Sequence, residues 1–130
     1  MSLEGDIVTV IENAGLGTSG TDLFRGPMRD GDGFPDAAVT VLETGGLPPV
    51  PDLTGPDGND LRVKRVQIQI RSAKNGYTIA REKVDEVFDA LHKQAPAGYV
   101  GWECDEPIHV ELDTKRRDRW SINMTSTTHS

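Results

Sequence analysis

Apolar positions recur at helical spacing in two stretches of the chain. Leu3, Ile7, Val10, Ile11 and Ala14 fall at i, i+4, i+7, i+8 and i+11, which puts all five on one stripe. The β-branched run from Ile7 to Ile11 pulls locally toward a strand. The spacing, with Asn13-Ala14 before a C-terminal stop at Gly15, decides for a helix. Ala80, Val84, Val87, Phe88 and Leu91 repeat the stripe, with Arg81, Glu82, Asp85, Glu86 and Asp89 on the outer side. Thr78 is the expected N-cap, His92 and Lys93 lie in the last turn, and Pro96 ends the segment.

Elsewhere the period is two. Val66, Ile68 and Ile70 alternate with Gln67, Gln69 and Arg71, as in a strand buried on one face. Ile108, Val110 and Leu112 alternate with His109, Glu111 and Asp113, and Trp120, Ile122 and Met124 with Ser121, Asn123 and Thr125. The segment Asp113–Asp118 joins these last two as a hairpin. Shorter strands are expected at Leu23–Arg25, Ala38–Leu42 and Tyr99–Glu103. The order is helix, two short strands, a long strand, helix, three strands. An α+β domain, with two helices packed on one face of a mixed, mainly antiparallel sheet, satisfies every apolar stripe.

Two segments fall outside this pattern. Residues 26–36 are rich in Gly, Asp and Pro, and Thr44–Asp60 is a long Pro/Gly-rich loop with four prolines. A loop of that length inside a compact domain is commonly functional or disordered. Its Leu47, Pro48, Pro49, Val50 and Leu53 suit docking on a neighbour, because proline limits the free ensemble. Ser126–Ser130 reads as a frayed tail.

Length and charge narrow the function. At 130 residues the chain fits one domain, 1–130. A hydrophobic share of 35%, with 14 glycines and 8 prolines, points to a modest core and long loops. The formal charge of −7 disfavours general nucleic-acid binding. One cysteine, Cys104, permits neither an internal disulfide nor a thiolate zinc site, and suits a reducing cytoplasm. No segment reads as a signal peptide or approaches the ~20 apolar residues of a membrane span, and Met1-Ser2-Leu3 could in part be a cloning remnant.

Candidate chemistry is sparse. Asp30-Gly-Asp32-Gly-Phe-Pro-Asp36 has the look of a calcium loop, but Phe34 and Pro35 stand where an EF-hand needs an oxygen ligand and a glycine. An acidic turn before a strand explains it better. His92, His109 and His129 are scattered, so no metal or other cofactor is expected. Cys104 precedes Asp105 and Glu106, whose charges oppose thiolate formation. Lys115, Arg116, Arg117 and Arg119 form the one basic cluster, read either as a partner contact at a hairpin tip or as a solvated turn balancing Asp113 and Asp118. The second reading is favoured. His109 and Glu111 leave one strand in the same direction, which makes a proton-transfer pair the best enzymatic alternative.

The order of several weak motifs resembles the small tail-terminator proteins of long-tailed bacteriophages, some catalogued as minor tail or minor capsid proteins. The carrying residues are Asn13-Ala-Gly-Leu-Gly17, Asp22-Leu-Phe-Arg-Gly26, Glu43-Thr-Gly-Gly46 followed by prolines 48, 49 and 51, Val66-Gln-Ile-Gln-Ile-Arg71, the helix Tyr77 to Leu91, and the closing strand Arg119 to Met124. The resemblance covers most of the chain. It implies a non-enzymatic virion protein, assembled in the bacterial cytoplasm, that joins copies of itself into a ring, commonly of six, at the head-proximal end of the tail. The implied partners are the tail tube protein and the head-connector proteins. DNA would only pass through the lumen, and six copies would bring six times the −7 of one chain. A neighbouring head-closure or tail-completion role is the alternative, followed by a small enzyme or a ligand-binding module.

Overall fold

The computed structural model describes residues 3–31, 34–46, 61–92 and 94–129. The elements are α1 (Leu3–Asn13), β1 (Leu23–Arg25), β2 (Ala38–Gly46), β3 (Leu61–Arg71), α2 (Tyr77–Leu91), β4 (Gly101–Cys104), β5 (Ile108–Leu112) and β6 (Asp118–His129). This is the order the hydrophobic pattern predicts. The sheet runs β1-β2-β3-β6-β4, with β5 also on β6. Only the β1–β2 pair is parallel, so the fold is α+β with a mixed, mainly antiparallel sheet.

The long β3–β6 ladder is the axis of the sheet, in register from Leu61↔His129 to Arg71↔Arg119. Alternation sends Val66, Ile68 and Ile70 to one face, and the register sets Met124, Ile122 and Trp120 beside them, with Val41 and Val39 across β2. Both helices cover that face. From α1 come Leu3, Ile7, Val8 and Ile11, and from α2 come Ala80, Val84, Val87 and Leu91. On α1 the buried stripe takes in Val8, while Ala14 is exposed. On α2 the N-cap is Gly76, without a side-chain cap, in place of the expected Thr78. The helix starts two residues early, just after Asn75, which adopts a left-handed φ of 56° and whose N–H donates to the Arg116 carbonyl oxygen (2.9 Å).

Two further boundaries differ from the sequence reading. β2 continues through Gly46, so residues 44–46 belong to the sheet and not to the loop. Its register slips between Glu43 and Gly45, where Gly45 takes φ +117°. A Cβ on Gly46 would lie 2.2 Å from the Val63 carbonyl oxygen, so only glycine fits that close approach. The expected frayed tail is largely strand: residues 126–129 pair with β3, and Ser126 and Thr127 also pair with β4. Ladder bonds on both sides outweigh the polar composition that suggested fraying.

Ile122 is fully buried on the interior strand β6. Ile122→Ala is expected to cost about 3 kcal/mol in urea unfolding with an unchanged m-value.

Candidate protein-contact surface

The basic cluster divides on folding. Lys115 and Arg116 are exposed at the β5–β6 turn, whereas Arg117 is only 4% exposed. The Arg117 Nη1 atom lies 2.8 Å from Asp30 Oδ1 and 3.0 Å from Asp36 Oδ1, and Nε and Nη2 each lie 2.8 Å from Asp113 Oδ2. Arg117 is therefore a structural ion and not a surface cation. A second buried arginine, Arg71, lies alongside. It donates from Nε to the Asp36 carbonyl oxygen (2.7 Å), from Nη2 to that of Pro35 (2.7 Å) and from Nη1 to that of Arg29 (3.0 Å). The Arg71 guanidinium sits over the Phe34 ring, which stacks on Phe24 at 4.3 Å. The acidic loop is thus more than a plain turn: its described carboxylates and carbonyls are the counter-charges of two buried guanidiniums.

The same contacts fix the hairpin. Ser72 N–H donates to the Asp118 carbonyl oxygen (2.8 Å), Asp118 N–H donates to Ser72 Oγ (2.7 Å), and Arg116 Nε donates to Asn75 Oδ1 (3.0 Å). Partial burial raises the Asp113 carboxyl. Hydrogen bonds from the Arg117 and Lys115 backbone and the Arg117 side chain outweigh it and hold the pKa at about 2. Asp30 is also held below its usual value, chiefly by its hydrogen bond from Arg117.

β5 departs most from expectation. Its apolar residues were expected to face the core, yet all five residues are exposed, with Ile108 at 52%, Val110 at 56% and Leu112 at 55%. The register sets Ile108 opposite Ser121, on the face away from the helices, and Leu112 opposite Asp118, so the apolar residues do not share one face. On the helix side Tyr77, at the start of α2, has its ring 6.2 Å from His109 and 5.3 Å from Trp120. The β5–β6 register also slips between His109 and Glu111. That bulge breaks the alternation at Val110 and spoils the outer edge as a template for strand addition.

The enzymatic alternative gains no geometry. His109 Nε2 pairs with Asp118 Oδ1 (2.9 Å), while Glu111 pairs with Arg119 (3.2 Å), so each is taken up by a different partner. Arg119 also donates to Gln69 (3.3 Å). The fold brings a histidine to Cys104, but to its backbone: the Cys104 N–H donates to His92 Nδ1 (3.1 Å). Burial, reinforced by Asp105, pushes the thiol up to about 12, against nucleophilic use. Among the described residues no cluster of His, Cys, Asp or Glu could hold a metal, and no helix is long and apolar enough to cross a membrane.

The sheet face away from the helices is polar. Thr40, Gln69 and Ser121 lie in one cross-strand row, and the Thr40 and Ser121 hydroxyls are buried with no hydrogen-bond partner among the described residues. The contact residues expected at Leu47, Pro48, Pro49, Val50 and Leu53 lie outside the described residues. Sequence reasoning missed β5 as the exposed apolar element. The one local hint was that His109, not an apolar residue, pairs with Trp120.

The sequence matches no protein-family model. No curated protein matches it. Among solved structures, the fold is similar to a chain in the "Virion of native gene transfer agent (GTA) particle", with a TM-score of 0.74 and 16% identity. The match covers 99% of this chain and 96% of that chain.

Two outcomes test the buried ion cluster. Arg117→Met is expected to cost about 2 kcal/mol in chemical unfolding, because it removes the paired contact to the largely covered Asp113 carboxylate, while Lys115→Ala stays within about 0.5 kcal/mol. A depressed carboxylate contributes stability that is intact above its ordinary pKa of 3.8 and lost as pH falls toward about 2. Acid titration of the melting temperature should therefore drop over that window, and Asp113→Asn should flatten the drop.

Proposed function

We propose that this chain is a virion structural protein of a tailed phage or phage-like particle, and within that class a tail terminator. Copies join into a ring, six in the usual form of the family it resembles, at the head-proximal end of the tail tube. The ring stops tube growth and presents a docking surface to the head connector, and DNA passes through its lumen without being held. The observation that carries the reading is the likeness in fold to a virion chain over nearly the whole of both chains. The motif order from Asn13-Ala-Gly-Leu-Gly17 to the closing strand supports the narrower role.

The surface chemistry fits work by contact. Exposed apolar residues on β5 are costly in a free monomer and useful in an assembly. A closed ring repeats one heterologous interface by rotation, which limits growth without a template. The net charge of −7 opposes adhesion to the passing duplex.

The test is to add the purified chain to tail tubes that lack a terminator, image them by electron microscopy, and measure free mass by light scattering. Tube ends closed by a ring, and tubes that stop lengthening, are expected. Tubes that keep growing at full rate with the chain in excess would sink the terminator reading.

A further inference from the structure

We propose that Glu4 guards the outer edge of β2, holding shut the point at which a strand of a second copy would begin to pair. The inference rests on α1 and the sheet alone, and it stands whether or not the chain is a tail terminator.

β2 is covered on its outer side only in part. β1 pairs with Val39, Thr40 and Val41. Val39 N–H donates to the Asp22 carbonyl oxygen and Gly26 N–H to that of Val41, each at 2.8 Å. Gly26 then takes φ +101°, a turn that ends the strand. Alternation points the backbone of Val39, Val41 and Glu43 to the same side, so Glu43 N–H is the first donor beyond β1. Among the described residues no strand pairs with β2 there, and residues 43–46 are exposed.

Glu4 meets that donor from outside the sheet. Its Oε2 accepts from Glu43 N–H at 2.9 Å, where the carbonyl oxygen of a next strand would stand. Its Oε1 lies 3.6 Å from Arg25 Nη2, which holds the carboxylate against the end of β1. Leu3 and Ile7 anchor α1 in the core, and Glu4 in its first turn is thereby carried to this edge. Past Glu43 the register slips before Gly45, and a bulge makes a poor template for an added strand. β1, Glu4 and the bulge thus cover one edge in succession, and Glu4 closes the gap between the other two.

The edge is guarded against its own kind. Two open edges offer each other the donors and acceptors that both lack, so a second copy is the strand that fits. Charge gives this stretch little protection, because Lys64 lies 3.5 Å from the Glu43 carboxylate and Arg25 balances that of Glu4. The hydrogen bond, and not repulsion, keeps the edge closed.

The test uses the full chain in three variants, with melting temperatures to confirm folding. Glu4→Ala leaves the donor open, Glu4→Gln keeps an acceptor in place, and Glu43→Pro removes the contact and the donor together. Proline is tolerated at 43 because its missing N–H faces out of the ladder. Amide exchange at residue 43 is read by NMR, self-association by analytical ultracentrifugation, and strand pairing between copies by infrared spectroscopy. In Glu4→Ala, exchange and self-association should each rise about tenfold over wild type, while Glu4→Gln stays within about threefold. Glu43→Pro should associate no more than wild type, although it too loses the Glu4 contact. Unchanged exchange in Glu4→Ala, or faster exchange without added association, would overturn the guard. So would a gain in Glu43→Pro equal to that in Glu4→Ala, which would mark the contact as merely structural.

Discussion

One end of this molecule is organised by two buried guanidiniums. Arg71 at the end of β3 and Arg117 before β6 are each 4% exposed, and such groups are tolerated only when their donors are met. Asp30, Asp36 and Asp113, with the carbonyls of Arg29, Pro35 and Asp36, meet them. The requirement ties three distant stretches together: the loop before β2, the turn between β5 and β6, and the approach to α2. Arginine suits the position because its planar fork reaches several acceptors at once, which a lysine point charge cannot do. The cluster fixes the β5–β6 turn against the loop before β2 and the approach to α2.

The fold was largely legible because its main elements obey single periods. Helical spacing over Leu3 to Ile11 and Ala80 to Leu91, and alternation over Val66 to Arg71 and Trp120 to Thr125, report local geometry that burial then confirms. The contact surface was less legible for two reasons. Alternation at Ile108, Val110 and Leu112 says that one face is apolar, but not that anything covers it, and the bulge at Val110 leaves no mark in composition. For Arg117, the Asp113 partner is four residues away and could be guessed. Asp36 lies 81 residues away and could not. The glycine pair at 45 and 46 was read as the start of a loop, because a bulge and a chain end call for the same residue.

The two sides of the sheet divide the labour. One face is apolar and spent on the helices. The other carries Thr40, Gln67, Gln69, Ser121 and Asn123, whose hydroxyls are buried and whose amides are half-buried. Ion pairs such as Glu111–Arg119 and Glu43–Lys64 neutralise one another instead of creating a field. Among the described residues, the large apolar side chains that remain exposed are on the strand β5 and at Tyr77 and Ile79 of α2, with Val100 before β4.

The position of β6 governs when the folded sheet can exist at all. β6 leaves the ribosome after the other five strands of the sheet, yet it lies inside it, with β3 on one side and β4 and β5 on the other. Its pairing with β3 joins residues as far apart as Leu61 and His129. Non-local ladders of this kind raise contact order and slow folding, because the loop must close before any contact rewards it. During synthesis the halves of the sheet wait unjoined, and the turn before β6 has no Arg117 to gather the acidic loop. A half-made chain therefore presents no oriented hairpin.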